Sequence, residues 1–449
     1  MKVLLASPNT FKPVYNQAGK LPPLTGICPP LGIGYLGAYL RKHGIETVLY
    51  DWAGTDAEGI ANDIKNEQPD LVGISCFTIT RGAAFETARI AKKVNPEIVT
   101  VLGGSHATSM ARQIIERYKE VDYIVSGEGE RLLLELVLYL EGKTGHLPAK
   151  IFGREKSGPG VNSNIDFIHN LDDLPFPVRK LSNAPAYKAY PEQYGHGKQA
   201  SLMASRGCPY RCQFCSTSIY WGSRYRLRSV DNVIAENDEI YKVNQIEDLE
   251  ILDDAFTSSR PWIAEFCAKI KKKDYAFDWA AVTRANYINE EICRLMKDAG
   301  CKRLVLGIES FSDKILKNIG KRISSEQAVN AIRIIQATGI EAGCLLMVGN
   351  PGDDWSSIKD NISAIKHAKP SSLTINMTQV YPQTELYEIA KNGGLLDDSY
   401  WLDEGKGAPI YTLEHSIQEL QEFVSELYKA HWTSGRWGRI LKKVSIKRK

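Results

Sequence analysis

The sequence predicts an α/β protein built from two successive strand–helix arrays and a small, mostly helical C-terminal region. Three observations carry this: apolar runs alternate with amphipathic stretches over the first 140 residues, the alternation lapses across 142–197, and it returns from 198 to about 378. In the first array the runs Lys2–Ser7, Thr47–Tyr50, Leu71–Ser75, Val99–Leu102 and Tyr123–Ser126 read as strands, with helices near 31–43, 56–66, 82–94, 107–118 and 129–141. Strands that are continuously apolar need cover on both faces, so five of them joined by single helices predict a doubly wound parallel sheet, ordered 2-1-3-4-5. Ligands of such sheets bind beyond the strands' carboxyl ends, here the loops 8–30, 76–80, 103–106 and 126–130. Residues 142–197 collect Gly, Pro, Asn, Lys and Tyr and read as a linker. The second array places strands near 200–205, 248–252, 278–282, 303–308, 342–348 and 372–377, and the last seventy residues include a helical stretch from Ser416 to His431.

Composition narrows the class. A chain of 449 residues with 43% hydrophobic and 24% charged content has material for two ordinary cores, and its length suggests two or three domains. The expected division is 1–141, linker 142–197, 198–378 and 379–449. No run approaches the roughly 18 apolar residues of a membrane span, and the start lacks a signal peptide's apolar run and cleavage site, so the expected location is the cytoplasm. Six of the nine cysteines (Cys28, Cys76, Cys267, Cys293, Cys301, Cys344) sit mostly in apolar contexts and read as reduced core thiols. A formal charge of +3 is too small to imply nucleic acid, leaving a small-molecule partner.

The other three, Cys208, Cys212 and Cys215, fall within eight residues in Arg206-Gly-Cys-Pro-Tyr-Arg-Cys-Gln-Phe-Cys-Ser216. Thiolates this close hold iron or zinc. A structural zinc site wants a fourth Cys or His nearby, but the nearest later cysteine is Cys267 and His196 precedes the motif by twelve positions. A cubane of four irons normally takes four cysteines, so three from one loop leave an iron open to another ligand.

At these residues the chain resembles the radical S-adenosylmethionine (SAM) superfamily. The resemblance implies a [4Fe-4S] cluster on Cys208, Cys212 and Cys215, whose open iron is chelated by the amino and carboxylate groups of SAM. It also implies that the second array is a partial (β/α)6 barrel, with its active groups at the strands' carboxyl ends. Asp253, Asp254, Arg284, Glu309 and Gly349-Asn-Pro-Gly352 stand there. By the same resemblance Asp253 or Asp254 takes SAM's amino group, Glu309 its ribose hydroxyls, and Arg284 or Lys321 its carboxylate. Singly, each is also readable as a surface ion pair or a strand-end cap. Gly320-Lys-Arg322 lacks the glycines of a phosphate loop.

A second resemblance, to the cobalamin-binding domain fused in front of many radical SAM enzymes, rests on Pro29–Gly44, Gly73-Ile-Ser-Cys-Phe-Thr78, Leu102-Gly-Gly-Ser-His-Ala107 and Val121–Glu130. It implies a flavodoxin-like (Rossmann-type) sheet whose Ser75, Thr78, Gly103, Gly104 and Gly127 meet cobalamin, glycine letting the backbone approach a flat nucleotide tail. The same glycines also suit a plain flavodoxin-like scaffold. Ser7-Pro-Asn-Thr-Phe-Lys-Pro13 carries no histidine, so the Asp-x-His-x-x-Gly signature of many cobalamin proteins is absent, and His43 is a helix-end residue. Asn170–Pro177 resembles the inter-domain strap of these enzymes, and 379–449 their substrate-side cap.

Together the resemblances imply an enzyme that generates a 5′-deoxyadenosyl radical and transfers a methyl group through cobalamin to an unactivated carbon. An anaerobic porphyrin-type ring cyclase, or a rearrangement enzyme, is the alternative within the architecture. A non-catalytic cobalamin or iron–sulfur sensor is the alternative outside it. The implied partners are a small-molecule or lipid-like substrate and an electron donor such as flavodoxin or ferredoxin. The basic end, Gly438–Lys449, reads as a solvated tail, with membrane-surface contact as its other use.

Overall fold

Two six-stranded sheets, one per array, organise the chain. The computed structural model describes residues 1–8, 29–154, 167–182, 199–244, 246–275 and 277–434; most of the 8–30 loop, Cys28 and the basic tail lie outside these.

The first sheet contains β1 (Lys2–Ser7), β2 (Glu46–Asp51), β3 (Leu71–Ser75), β4 (Val99–Gly103) and β5 (Tyr123–Val125), parallel and in the expected order 2-1-3-4-5. Helices α1 (Leu31–Lys42), α2 (Ala57–Glu67), α3 (Arg81–Val94), α4 (Ser105–Ser109), α5 (Ala111–Arg117) and α6 (Gly129–Leu140) connect and cover it. Two details differ from the sequence reading. The helix expected over 107–118 is two helices, because Met110, buried in the core, leaves helical geometry (φ −121°, ψ 22°). A sixth strand, β6 (Ile151–Gly153), comes from the stretch read as linker and pairs antiparallel with β5. Three residues show no periodicity, and the strand exists because it closes an open sheet edge.

The second sheet runs β7 (Gln199–Leu202), β10 (Asp248–Ile251), β11 (Asp278–Thr283), β12 (Cys301–Glu309), β13 (Glu341–Val348) and β14 (Ser372–Met377), each parallel to its neighbour. Its outer strands β7 and β14 do not pair, so the barrel is partial as expected. The single strand expected near 200–205 is divided. After β7 the chain forms β8 (Ser205–Arg206), which pairs with β9 (Arg226–Leu227), and the cysteine run and α7 (Thr217–Tyr220) lie between these two. The barrel helices are α8 (Val230–Asn244), α9 (Arg260–Ile270), α10 (Glu290–Asp298), α11 (Asp313–Asn318), α12 (Ser325–Ala337) and α13 (Trp355–Ala368).

The C-terminal region divides its loyalty. Val380, Leu386, Tyr387, Trp401 and Tyr411, from or beside α14 (Glu385–Asn392), share one core with Trp52 and Phe85 of the first domain. Leu420, Phe423 and Leu427 of α15 (Ile417–Ser434) join the barrel core. Polar bonds reinforce the first attachment: Gln383 Nε2 donates to the Ser109 carbonyl at 2.5 Å, and the Tyr118 hydroxyl donates to the Leu402 carbonyl. The segment is thus a clasp between the domains. Trp401 is fully buried within it, so Trp401→Ala is expected to cost about 3–5 kcal/mol of stability, read as a lower midpoint in urea unfolding.

Candidate active site

The cysteine loop begins at Gly207, whose φ of +90° and closeness to the Arg224 carbonyl exclude any larger residue. Beyond it Cys208, Cys212 and Cys215 are free thiols, each partly accessible, and the Cys215 amide donates to the Cys212 carbonyl at 3.0 Å. Burial pushes the Cys208 and Cys215 thiols up, so they bind metal only on losing a proton that metal must displace. Among the described residues no three Cys, His, Asp or Glu side chains converge on one point. A cubane gives each cysteine its own iron, so three thiols of one loop can hold three of its corners.

Around this loop three strand ends, with the turn after α11 that carries Lys321, bring the five predicted SAM residues to one mouth, though not all as open groups. Asp253 is buried and accepts from the Ala204 amide at 2.8 Å and the Ser205 hydroxyl at 2.5 Å. Desolvation pushes its carboxyl up to about 7. Asp254 is exposed beside it, touching only the Thr217 hydroxyl at 3.3 Å. Glu309 and Lys321, read as separate contacts, pair with each other at 2.8 Å. A register shift between Gly307 and Glu309 and a φ of +72° at Glu309 turn that carboxylate inward, a strained placement of the kind found at functional sites. Gly307 leaves the pair room, since a Cβ there would lie 3.1 Å from Glu309 Oε1. Arg284 is buried and lies on the cysteine loop itself, Nη1 3.7 Å from Cys212 Sγ.

At the carboxyl ends of β3, β4 and β5 a cavity of about 520 Å³ opens, and Ser75, Thr78, Gly103, Gly104 and Gly127 all line it. A Cβ on Gly103 would meet nothing nearer than 3.9 Å, so glycine here keeps the floor bare. Gly104 has φ +100°, and its Cβ would strike the Cys76 carbonyl at 2.9 Å. Phe77 and Ile79 stay 49% and 54% exposed and give the cavity apolar walls. The opposite wall comes from the barrel side: Arg206, Ser216, Thr217, Tyr220 and Trp221. Bare glycine floor and apolar walls fit a flat, amphipathic ligand such as a corrinoid.

Four buried charges tie that cavity to the cysteine loop. Arg206, two residues before Cys208, binds Glu128 at 3.2 Å and Glu130 at 2.5 Å, with its guanidinium 5.3 Å from the ring of Tyr35 and 5.0 Å from that of Trp221. Glu128 also accepts from Arg226 at 2.8 Å and from the Ile168 amide at 2.6 Å, which anchors the strap.

Residues 23–137 match the family described as B12 binding domain, and residues 202–365 match the radical SAM superfamily. The uncharacterized methyltransferase PH0819 of Pyrococcus horikoshii is 32% identical over 428 residues, covering 93% of this chain and 89% of its own. The chain belongs to the B12-binding radical SAM family. The anaerobic magnesium-protoporphyrin IX monomethyl ester cyclase of Rubrivivax gelatinosus is 28% identical, over 86% of this radical SAM protein and 70% of its own length. The radical SAM methyltransferase TsrM from Kitasatospora setae, solved with tryptophan and a SAM analog, superposes with a TM-score of 0.72 at 20% identity, over 88% of this chain and 76% of its own. At that identity TsrM speaks for the fold.

Several residues of this radical SAM protein's site escaped the sequence reading. Glu128 and Glu130 stand in a quoted motif, but their partner Arg206 is 76 positions beyond Glu130. His106 stands in another. Its Nε2 faces the Trp401 carbonyl at 3.2 Å, which only accepts, so Nε2 carries the proton and Nδ1 accepts from the Thr78 hydroxyl at 3.2 Å. Desolvation and then Arg81 push this histidine down to about 3. Tyr381, from the clasp, also lines the cavity.

Two outcomes follow from the charges. Arg206→Met leaves Glu130 buried without its cation and is expected to cost about 3–5 kcal/mol, read by urea unfolding of the iron-free protein. Asp253 has its folded pKa raised from 3.8 to about 7, so its stabilising contribution is present below the unfolded value and is lost as pH rises to about 7. Asp253→Asn is therefore expected to flatten the decline of stability across that window by up to about 1.4 kcal/mol per pH unit.

Proposed function

We propose that this chain is a cobalamin-dependent radical SAM methylase acting on an unactivated carbon of a small-molecule substrate. The observation that carries the reading is a single cavity floored by the B12-binding domain and walled by residues just before and after the cluster cysteines. When bound, the cluster with SAM supplies a 5′-deoxyadenosyl radical, and the corrinoid supplies a transferable methyl group.

The chain's own residues do the rest. Cys208, Cys212 and Cys215 hold the cluster and leave one iron for SAM. Asp254, open where Asp253 is committed to Ala204 and Ser205, accepts from SAM's amino group. Glu309, neutralised by Lys321, faces the ribose hydroxyls with the oxygen that Lys321 does not bind. Gly103, Gly104 and Gly127 form the floor for the corrinoid, with Ser75 as a hydroxyl partner. The Thr78 oxygen, its proton given to His106, is an acceptor for the corrinoid's amides. Phe77, Ile79 and Trp221 keep water from the radical's path.

A reduced electron donor such as flavodoxin or ferredoxin serves the cluster. No helix among the described residues is long and apolar enough to cross a membrane. The ring-cyclase reading has the lower likeness behind it, 28% against 32% identity.

The test is anaerobic reconstitution with iron, sulfide and hydroxocobalamin. The expected result is a cubane spectrum, close to one cobalt per chain, and 5′-deoxyadenosine formed from SAM on reduction. The Cys208, Cys212 and Cys215 triple alanine variant is expected to lose the spectrum and keep the cobalt. Cobalt far below one per chain overturns the methylase reading.

A further inference from the structure

Arg284 follows β11, the third strand of the barrel, and its buried guanidinium has a partner at each nitrogen. Nε donates to Asn286 Oδ1 at 3.3 Å, Nη2 donates to the Lys321 carbonyl, and Nη1 points at Cys212 Sγ from 3.7 Å. Its plane lies over the Tyr210 ring, 3.7 Å from the centroid. Tyr210 sits between Cys208 and Cys212, and the residues after Arg284 hold it further. Asn286 Nδ2 donates to the Tyr210 hydroxyl at 2.8 Å, and Tyr287 meets the ring edge-on at 6.2 Å. One short segment therefore grips the middle of the cysteine loop by face, edge and hydroxyl.

These contacts engage every nitrogen of the guanidinium and hold Nη1 toward the Cys212 sulfur. We propose that Arg284 is a positioning residue of the cluster, which pins the loop through Tyr210 and raises the cluster's reduction potential through its charge and its N–H toward Cys212. Reduction adds one electron from the external donor and one negative charge to the cluster, with no bond made or broken. A fixed cation and a hydrogen bond to a ligating sulfur both favour the more negative state, so each raises the potential. Stacking on Tyr210 gives the guanidinium a fixed plane, which a lysine cannot copy.

This inference rests on the cluster assignment in the proposed function. The experiment is a redox titration of the reconstituted full chain, followed by electron paramagnetic resonance without SAM, for the parent, Arg284→Lys, Arg284→Met and Tyr210→Leu. Iron per chain is measured on each sample, and SAM is then added to the reduced cluster. The expected result is a more negative midpoint in all three variants, largest in Arg284→Met. The SAM concentration that perturbs the reduced signal should stay near that of the parent. Midpoints equal to the parent's, with several-fold more SAM needed by the Arg284 variants, overturn it and return Arg284 to the SAM carboxylate. Should Arg284→Met bind no iron, Arg284→Lys and Tyr210→Leu decide the question by the same midpoint. A parent chain without a cubane signal sinks the cluster assignment, whereas a normal parent with unmoved variants sinks this inference alone.

Discussion

Arg206 sits where burial, charge and connectivity meet. A buried guanidinium is tolerated only when its charge is answered and its donors are filled, and the two carboxylates that answer it, Glu128 and Glu130, belong to the other domain. They come from the loop after β5 and the start of α6, and Glu130 lines the cavity. Two residues beyond Arg206 the cluster loop begins. The wall of the cavity and the root of the cysteine loop are therefore held by the same ion pairs. Neither can move without exposing an unpaired charge to an apolar surround built from Tyr35, Trp221 and Phe167.

The C-terminal clasp solves the complementary problem on the far side. Its Trp401 carbonyl receives the proton of a buried histidine, and that histidine in turn orients the hydroxyl of Thr78 at the cavity. Its Tyr381 reaches the cavity wall. A segment that resembles a substrate-side cap thus also completes the first domain's core, with Val380, Leu386 and Tyr411 packed beside Trp52. The cavity is bounded on one side by charge and on the other by shared hydrophobic burial. Rigid placement of this kind suits chemistry in which a radical must meet its target before water or oxygen does.

At the barrel mouth the structure divides groups that resemblance treated alike. Two adjacent acids in the loop after β10 part company: Asp253 turns into the protein, where the Ala204 amide and the Ser205 hydroxyl donate to it, and Asp254 stays exposed. Glu309 and Lys321, read as separate contacts, are held to each other as an ion pair. Arg284 turns to the cysteine loop.

Much of this was legible in the chain. Apolar runs and amphipathic stretches are local signals, so the five parallel strands, the six barrel strands and most helices between them followed from them, apart from the divisions at Met110 and after Leu202. The three cysteines and the paired glycines carry their chemistry in short spacing, which no later folding step rearranges. What remained hidden depends on contacts between distant positions. β6 exists only because β5 offers an edge, the partners of Glu128 and Glu130 arrive from the barrel, and the role of His106 waits on a carbonyl 295 residues away. By itself the sequence determined the two arrays, the close spacing of the three cysteines and the paired glycines, because these are set by local pattern and spacing. The tertiary structure alone decided which charges pair, which acid stays open and how the two sites face each other, because a buried charge chooses its partner by proximity in space.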